Sequence, residues 1–284
     1  MLRLRRGRVI TPEPLTVDVD GEHRRAWADP AVVGEVRGGD EVLVNTSAVD
    51  LGSGGFDVIH ANLTRGLDAV QESTSHVMKL NYTSLQHPIE PVEVSIDEAA
   101  GAIDTTLPVL VIPLHGHLAP AAWAAGERRS ATRVGYIQSA GGALPGSLSR
   151  DVAELRGRGL LAGHVTAAPA FGGEAEALSV AGALDAAARR LGWEAAIVGP
   201  GPGILGSGTR LGHGGIAAVD SAHAALALGL STLVAPRLST VRLPLHEIGR
   251  RGFAFAERQL AGGRPRREVL PTELIMRDST AGAA

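Results

Sequence analysis

The hydrophobic pattern of the chain changes character partway along. Up to about residue 95, apolar residues come in short runs such as EVLVN (Glu41–Asn45), FDVIHANL and HVMKLNY, separated by DG, GGD and GSGG. Runs of Val, Ile, Phe and Tyr between such breakers read as strands. VDVDGEHRRAW centres on Asp20-Gly21, the best short-range hairpin signal in the chain, because a tight two-residue turn needs residues that tolerate positive φ. Residues 1–95 are therefore expected to form a small antiparallel β domain.

From Pro108 onward the pattern is a continuous apolar run, a glycine-rich loop, then an Ala/Leu/Arg stretch, repeated. The runs are 108–114 (PVLVIPL), 133–139 (RVGYIQS), 162–170 (AGHVTAAPA), 194–199 (EAAIVG) and 231–238 (STLVAPRL). Strands covered on both faces, as in a parallel sheet, read this way and do not alternate. Helices are expected over 118–129, 147–158, 174–191 and 215–229. In the third, Leu178, Ala181, Leu184 and Leu191 recur at helical spacing and Gly192 supplies a stop. Strands alternating with helices imply βαβ units with right-handed crossovers. Residues 96–284 thus predict an α/β, Rossmann-like three-layer domain, with a further helix near 246–261 on its flank and a frayed tail, DSTAGAA.

Composition narrows the picture. With 284 residues, 44% hydrophobic and 20% charged, the chain is long enough for two domains and is neither disordered nor fibrous. Only 3% is aromatic, so Ala, Val, Leu and Ile must build the core. The absence of cysteine removes disulfides, thiolate metal sites and a cysteine nucleophile. No apolar run approaches the ~18 residues that span a bilayer, and MLRLRRGRVI lacks the apolar core of a secretion signal. A cytoplasmic protein with no membrane partner is the expectation. The net charge of −3 argues against a nucleic-acid partner, since phosphate-binding surfaces are basic. That charge is uneven, −7 through Glu98 and +4 beyond, as suits two units with separate surfaces.

In a parallel sheet, ligands bind outside the carboxyl ends of the strands, so the residues after each apolar run carry the candidate chemistry. These are His115-Gly116-His117, Ala140-Gly141-Gly142, Phe171-Gly172-Gly173-Glu174, Gly199 to Thr209, and Arg237 with Ser239 and Thr240. His115 and Glu174 are the catalytic candidates, because a His–carboxylate pair can poise a proton near neutral pH. Gly141, Gly142, Gly173, Gly201, Gly203 and Gly206, with Ser207, Thr209 and Arg237, are the ligand-binding candidates. Glycine in these loops serves either a ligand or merely the turn. Gly201-x-Gly203-x-x-Gly206 matches the dinucleotide fingerprint in form only: two prolines remove N–H donors, no helix follows at once, and the acidic ribose ligand is missing. No P-loop lysine occurs and the motifs specify no cofactor. His115 and His117 invite a metal, but a helix-capping role weighs more, and no metal is assigned. A serine nucleophile is disfavoured because no Gly-x-Ser-x-Gly elbow occurs around Ser139 or Ser207.

Of 27 basic residues 26 are Arg, and the single Lys, Lys79, lies in the same stretch as all three Asn (Asn45, Asn62, Asn81). Lysine can shed its proton when buried and arginine cannot, so Lys79 joins the ligand-binding candidates, with chance survival on a surface as the alternative.

Taken together, VLVNTSAVDLGSGG from Val42, HVMKLNYTSLQ from His76, LHGHLAP from Leu114, GGALP from Gly141, AFGGEAEA from Ala170 and GPGPGILGSGTRLG from Gly199 resemble the uncharacterised bacterial family known as domain of unknown function 3866. The resemblance runs over about residues 1–245 and implies no established activity. It matches His115 to the His of the LH block, Glu174 to an acidic position after FGG, and Lys79 to the MKL block, while His117 departs from the family pattern. The leading expectation is a protein that binds a small anionic metabolite at the carboxyl edge of the sheet, with transferase or hydrolase chemistry. A non-catalytic binding module or homo-oligomeric assembly unit is the alternative.

Overall fold

The computed structural model describes residues 2–52, 55–65, 75–96, 106–128, 132–209, 211–235, 241–242 and 273–274. The chain divides into two compact units, Met1–Ile89 and Glu90–Ala284. The division falls before residue 95 because residues 90–95 serve the second unit. Val92 joins its core, and the Glu93 carboxylate accepts the N–H groups of Leu178 and Ser179, at 2.7 and 3.3 Å, at the head of a helix.

In the first unit, β1 (Leu4–Pro12), β2 (Leu15–Val19), β3 (Glu22–Trp27), β4 (Glu41–Asn45) and β5 (Asp57–Asn62) close into a barrel of order β1-β2-β3-β5-β4. Two single-turn helices, α1 (Pro30–Val33) and α2 (Ser47–Asp50), lie in its connections. The Asp20-Gly21 turn joins β2 to β3 with φ of 55° and 86°. Closure corrects the all-antiparallel expectation: β3 and β5 run parallel, a pairing that local turn signals cannot reveal. Val9, Val17, Val19, Val42, Val44 and Ile59 fill the interior. Within this shell Asp57 is fully buried, with the Arg24 Nε 2.7 Å from its carboxylate, and the second carboxylate on Arg24 is Asp50 at 2.9 Å. The Arg24 hydrogen bond holds the Asp50 pKa down to about 2, whereas burial pushes Asp57 up despite the same guanidinium. A hairpin of β6 (Val77–Lys79) and β7 (His87–Ile89) pairs Lys79 with His87 and buries Lys79.

The second unit holds a six-strand parallel sheet. Its strands are β8 (Val109–Val111), β9 (Val134–Ser139), β10 (Gly163–Ala167), β11 (Ala175–Ala177), β12 (Ala195–Pro200) and β13 (Thr232–Val234), in the order β11-β10-β9-β12-β8-β13. The five apolar runs supply five of these strands. The sixth, β11, lies inside the expected 174–191 helix: Ala-Glu-Ala favours helix locally, but pairing with β10 overrides that preference. The helix begins only at α5 (Val180–Arg189), where the Ser179 hydroxyl accepts the Gly182 N–H at 2.9 Å. Helices α3 (Leu118–Arg128) and α4 (Arg150–Gly157) cover one face of the sheet, and α5 and α6 (Ala217–Ala227) the other. Val241–Arg242 pairs with Glu273–Leu274. The expected helix near 246–261 and the DSTAGAA tail lie outside the described residues. No described helix is long and apolar enough to cross a membrane.

With few aromatics available, Trp193 fills the space above two strands by occupying the room of absent side chains. A Cβ on Gly135 would overlap its indole, and one on Gly163 would lie 3.0 Å from it. Gly135→Ala is therefore expected to destabilise the α/β unit by about 1–3 kcal/mol through overpacking, read as a lower urea midpoint with altered Trp193 fluorescence. In the barrel, Asp57→Ala leaves Arg24 without its buried partner and should cost about 3–5 kcal/mol. The Arg24→Leu/Asp57→Leu double variant should lose less than Asp57→Ala alone in the same denaturation.

Candidate functional site

The strand order sets where a site can form. After β9 the chain continues to β10 on one side; after β12 it crosses β8 to reach β13 on the other. The loops leaving β9 and β12 therefore diverge at their carboxyl ends, a topological switch point. Both loops are glycine-rich, 140–146 and 201–214, and they interlock. Gly142 bridges to Ile204, the Ala143 N–H donates to Gly203 O at 3.0 Å, and the Leu144 N–H to Pro202 O at 3.3 Å. A Cβ on Gly142 would stand 2.5 Å from Gly201 O, and one on Gly141 would overlap Gly214 O. The candidates Gly141, Gly142, Gly201 and Gly203 thus bring backbone against backbone, and Gly201 also leaves room for the Gln138 amide. Gly206 bridges to His213. Ser207 and Thr209 bond each other at 3.0 Å and tie to Gly212 within their own exposed loop. Arg237, Ser239 and Thr240 lie outside the described residues.

Beneath these loops, on the α3/α4 face of the sheet, lies a buried polar cluster. His115 begins the single 3-10 turn that follows β8. Its Nε2 is 2.7 Å from the Ser149 hydroxyl, and its Nδ1 is 3.4 Å from the Tyr136 hydroxyl. Tyr136 is wholly buried on β9 and donates its proton to Pro200 O at 2.8 Å, with Gly199 O at 3.1 Å. With that proton committed, the tyrosine oxygen faces His115 as an acceptor, which places hydrogen on Nδ1 and leaves Nε2 to accept from Ser149. Burial pushes the His115 pKa below its ordinary 6.5, while Asp151 and the Pro200 carbonyl oppose the shift. The Asp151 carboxylate is 3.9 Å from Nε2 and half exposed. Ser149 is the N-cap of α4, where its Oγ also accepts the Val152 N–H at 3.0 Å. Burial raises the Tyr136 phenol, so it stays protonated.

His164 on β10 stacks on Tyr136, with centroids 5.2 Å apart and planes 11° from parallel. Burial, with His115 and Arg156 nearby, pushes its pKa down to about 3. Its Nε2 and the Gln138 Oε1 are buried polar atoms without a hydrogen-bond partner.

The structure does not hand Glu174 to His115. The Glu174 carboxylate takes the Arg156 guanidinium at 2.5 Å and the His164 N–H at 3.3 Å, while Glu176 takes the Thr166 hydroxyl at 2.6 Å and the Gly172 N–H at 2.9 Å. Both carboxylates pin the 168–174 loop to β10, and the Gly173 N–H joins them by donating to Thr166 Oγ1 at 3.2 Å. The groups that face His115 are Ser149, Tyr136 and Asp151, none of which sequence reasoning singled out. The available signal was modest: Ser149 precedes a helical stretch as a capping residue, and Tyr136 is one of only two tyrosines. Lys79, in the first unit, is a buried hairpin residue. Among the described residues no three His, Asp or Glu side chains gather so as to hold a metal ion.

These features define a two-unit mixed α/β protein with a barrel, a six-strand parallel sheet and a buried His–Ser–Tyr cluster at the sheet's carboxyl edge. The family model for a protein of unknown function, DUF3866, matches residues 25–242, and the chain belongs to that family. No curated protein matches it, and no solved structure does.

The buried histidines make stability depend on pH. A His held neutral at a folded pKa near 3, against 6.5 when unfolded, contributes stability that is fully present above pH 6.5. That contribution is lost as pH falls from 6.5 toward 3, because the unfolded chain takes up the proton first, at about 1.4 kcal/mol per pH unit for one site. His115 shifts in the same direction. Urea midpoints of the wild type should therefore drop on acidification below pH 6.5, and His164→Asn should flatten that slope.

Proposed function

We propose that the α/β unit is a Rossmann-like domain that binds a small anionic metabolite at the carboxyl edge of its sheet, and that His115 acts there as general base and acid in a hydrolase or group-transfer reaction of the cytoplasm. The observation that carries this reading is the state of His115. It is kept neutral by burial, its tautomer is set by Tyr136, and its Nε2 meets a hydroxyl at 2.7 Å. A general base needs that protonation state and that reach. The α4 N-terminus, where first-turn N–H groups lack intrahelical acceptors, adds positive potential beside the same hydroxyl. Glu174 takes no catalytic part in this reading; its role is to hold the loop that follows β10.

A second reading, a non-catalytic assembly module, is favoured by one observation: the interlocked loops 140–146 and 201–214 present Leu144, Leu205 and Leu211 to solvent. Exposed apolar residues on adjoining loops suit contact with another chain.

A thermal-shift screen with anionic metabolites separates the two. A ligand present at 100 times its Kd stabilises the native state by about 2.7 kcal/mol, so at least one compound should raise the wild-type Tm, with the shift reduced in His115→Asn. No stabilising compound, together with a concentration-dependent oligomer that Leu205→Glu dissolves, supports the assembly reading instead.

A further inference from the structure

We propose that Ser149 is a covalent nucleophile and that the substrate is an ester or thioester of a short acyl group; this rests on the reading of His115 as general base and extends it to a named reaction.

A serine that only capped α4 would need nothing beyond the Val152 N–H. Ser149 has more: its Oγ meets a second group, His115 Nε2, at 2.7 Å. That nitrogen is kept as an acceptor by a side chain whose own hydroxyl is fixed on two carbonyls. The four participants come from the end of β8, the middle of β9, the head of α4 and the end of β12. Burying a phenol, an imidazole and a hydroxyl together carries a desolvation penalty that helix capping does not require. Nucleophile, base and a third group orienting the base form the arrangement that activates a serine. Here a tyrosine oxygen occupies the orienting place.

The chemistry balances without a cofactor. His115 Nε2 accepts the Ser149 proton as Oγ bonds to the acyl carbon, and the carbonyl π electrons move onto its oxygen. Collapse of the tetrahedral adduct re-forms the carbonyl and breaks the bond to the alkoxide or thiolate, which takes the proton back from His115. The resulting acyl–Ser149 ester is then attacked by water, which gives its proton to His115. The acid departs and Ser149 Oγ recovers the proton. Between transfers His115 is an imidazolium. The Asp151 carboxylate 3.9 Å from Nε2 stabilises that charge, and the Tyr136 oxygen accepts from Nδ1. The size of the acyl group follows from access: Ser149 is buried and only 11% of the His115 side chain is exposed, so the hydroxyl admits at most a short acyl group and the anionic part of the substrate stays outside, at the edge.

The test uses p-nitrophenyl acetate on the full chain, with rapid quenching and peptide mass mapping. A burst of nitrophenolate equal to the protein concentration is expected, with one acetyl group on Ser149. Ser149→Asn keeps a capping oxygen for α4 and should abolish both burst and acetylation while circular dichroism is unchanged. His115→Asn should slow the burst by about 100-fold or more. The wild-type burst rate should hold level through neutral pH and fall only below pH 6.5, as His115 takes up its proton. Acetylation confined to Lys79 or the amino terminus, or an undiminished burst in Ser149→Asn, overturns the nucleophile. If anionic metabolites still stabilise the protein in a His115-dependent way while no acyl–Ser149 forms, the nucleophile falls and metabolite binding stands. An acyl–Ser149 that forms while no anionic metabolite stabilises the protein upholds the nucleophile and removes the metabolite site.

Discussion

The α/β unit is organised around one buried hydroxyl. Tyr136 sits mid-strand in a sheet covered on both faces, where an unpaired phenol would cost several kcal/mol. The carbonyls of Gly199 and Pro200, at the end of the neighbouring strand, accept the hydrogen bond of its O–H. Its oxygen is then an acceptor that faces His115, and its ring is a platform for His164. The glycines of β12 and the loop leaving it belong to the same constraint. Gly199 clears Ile112 and Gly201 clears Gln138, so the backbone beside these larger side chains carries none of its own. The glycines of this region thus make room for Ile112, for the Gln138 amide and for neighbouring backbone.

Fold and site differ in how much of them the chain announces. Continuous apolar runs name five of the six parallel strands because burial on both faces leaves no other signature. Strand β11 escapes because Ala-Glu-Ala favours helix locally, while pairing with β10 and a bridge from Glu176 to Pro91 hold it extended. Barrel closure through parallel β3 and β5 escapes for a related reason: it joins segments far apart in sequence, and no local pattern records it. His115 was legible from its place after a strand. Its partners were not, since Ser149 lies 34 residues away and Tyr136 21, each in a context that also suits an ordinary cap or core residue. Glu174 has the chemistry of a catalytic carboxylate and the right address, yet Arg156 claims it first.

Rarity along the chain proved an uneven guide to role. Asn62 donates to the buried carboxylate of Asp40 at 3.0 Å and accepts the N–H groups of Thr64 and Arg65. Asn45 accepts the Ser47 N–H at 3.0 Å. Both uses need a short side chain with donor and acceptor on one amide or an acceptor within reach of its own turn, which Arg, Ala or Gly cannot supply. At these two positions Asn is explained by the hydrogen bonds its amide makes inside the barrel.

The sheet is chemically two-faced, and that asymmetry tells where reactivity can lie. Toward α5 and α6 its strands present Val109, Val111, Ile137, Val165, Ala167, Ala196 and Val198, all apolar. Toward α3 and α4, β8 and β12 stay apolar at Leu110, Ala195 and Ile197, whereas β9 begins apolar at Val134 and is polar from Tyr136 onward. Parallel register sets Tyr136 beside His164 and Gln138 beside Thr166, so polar residues form two successive rows across β9 and β10. A row of this kind is stable only if its members bond each other, and here the first row is completed by His115 and Ser149 from outside the sheet. The second row ends with Gln138 Oε1 unpaired, as does the first at His164 Nε2. Unmet hydrogen-bonding capacity in an interior costs stability, and these two atoms lie on the face where the imidazole and the hydroxyl also meet.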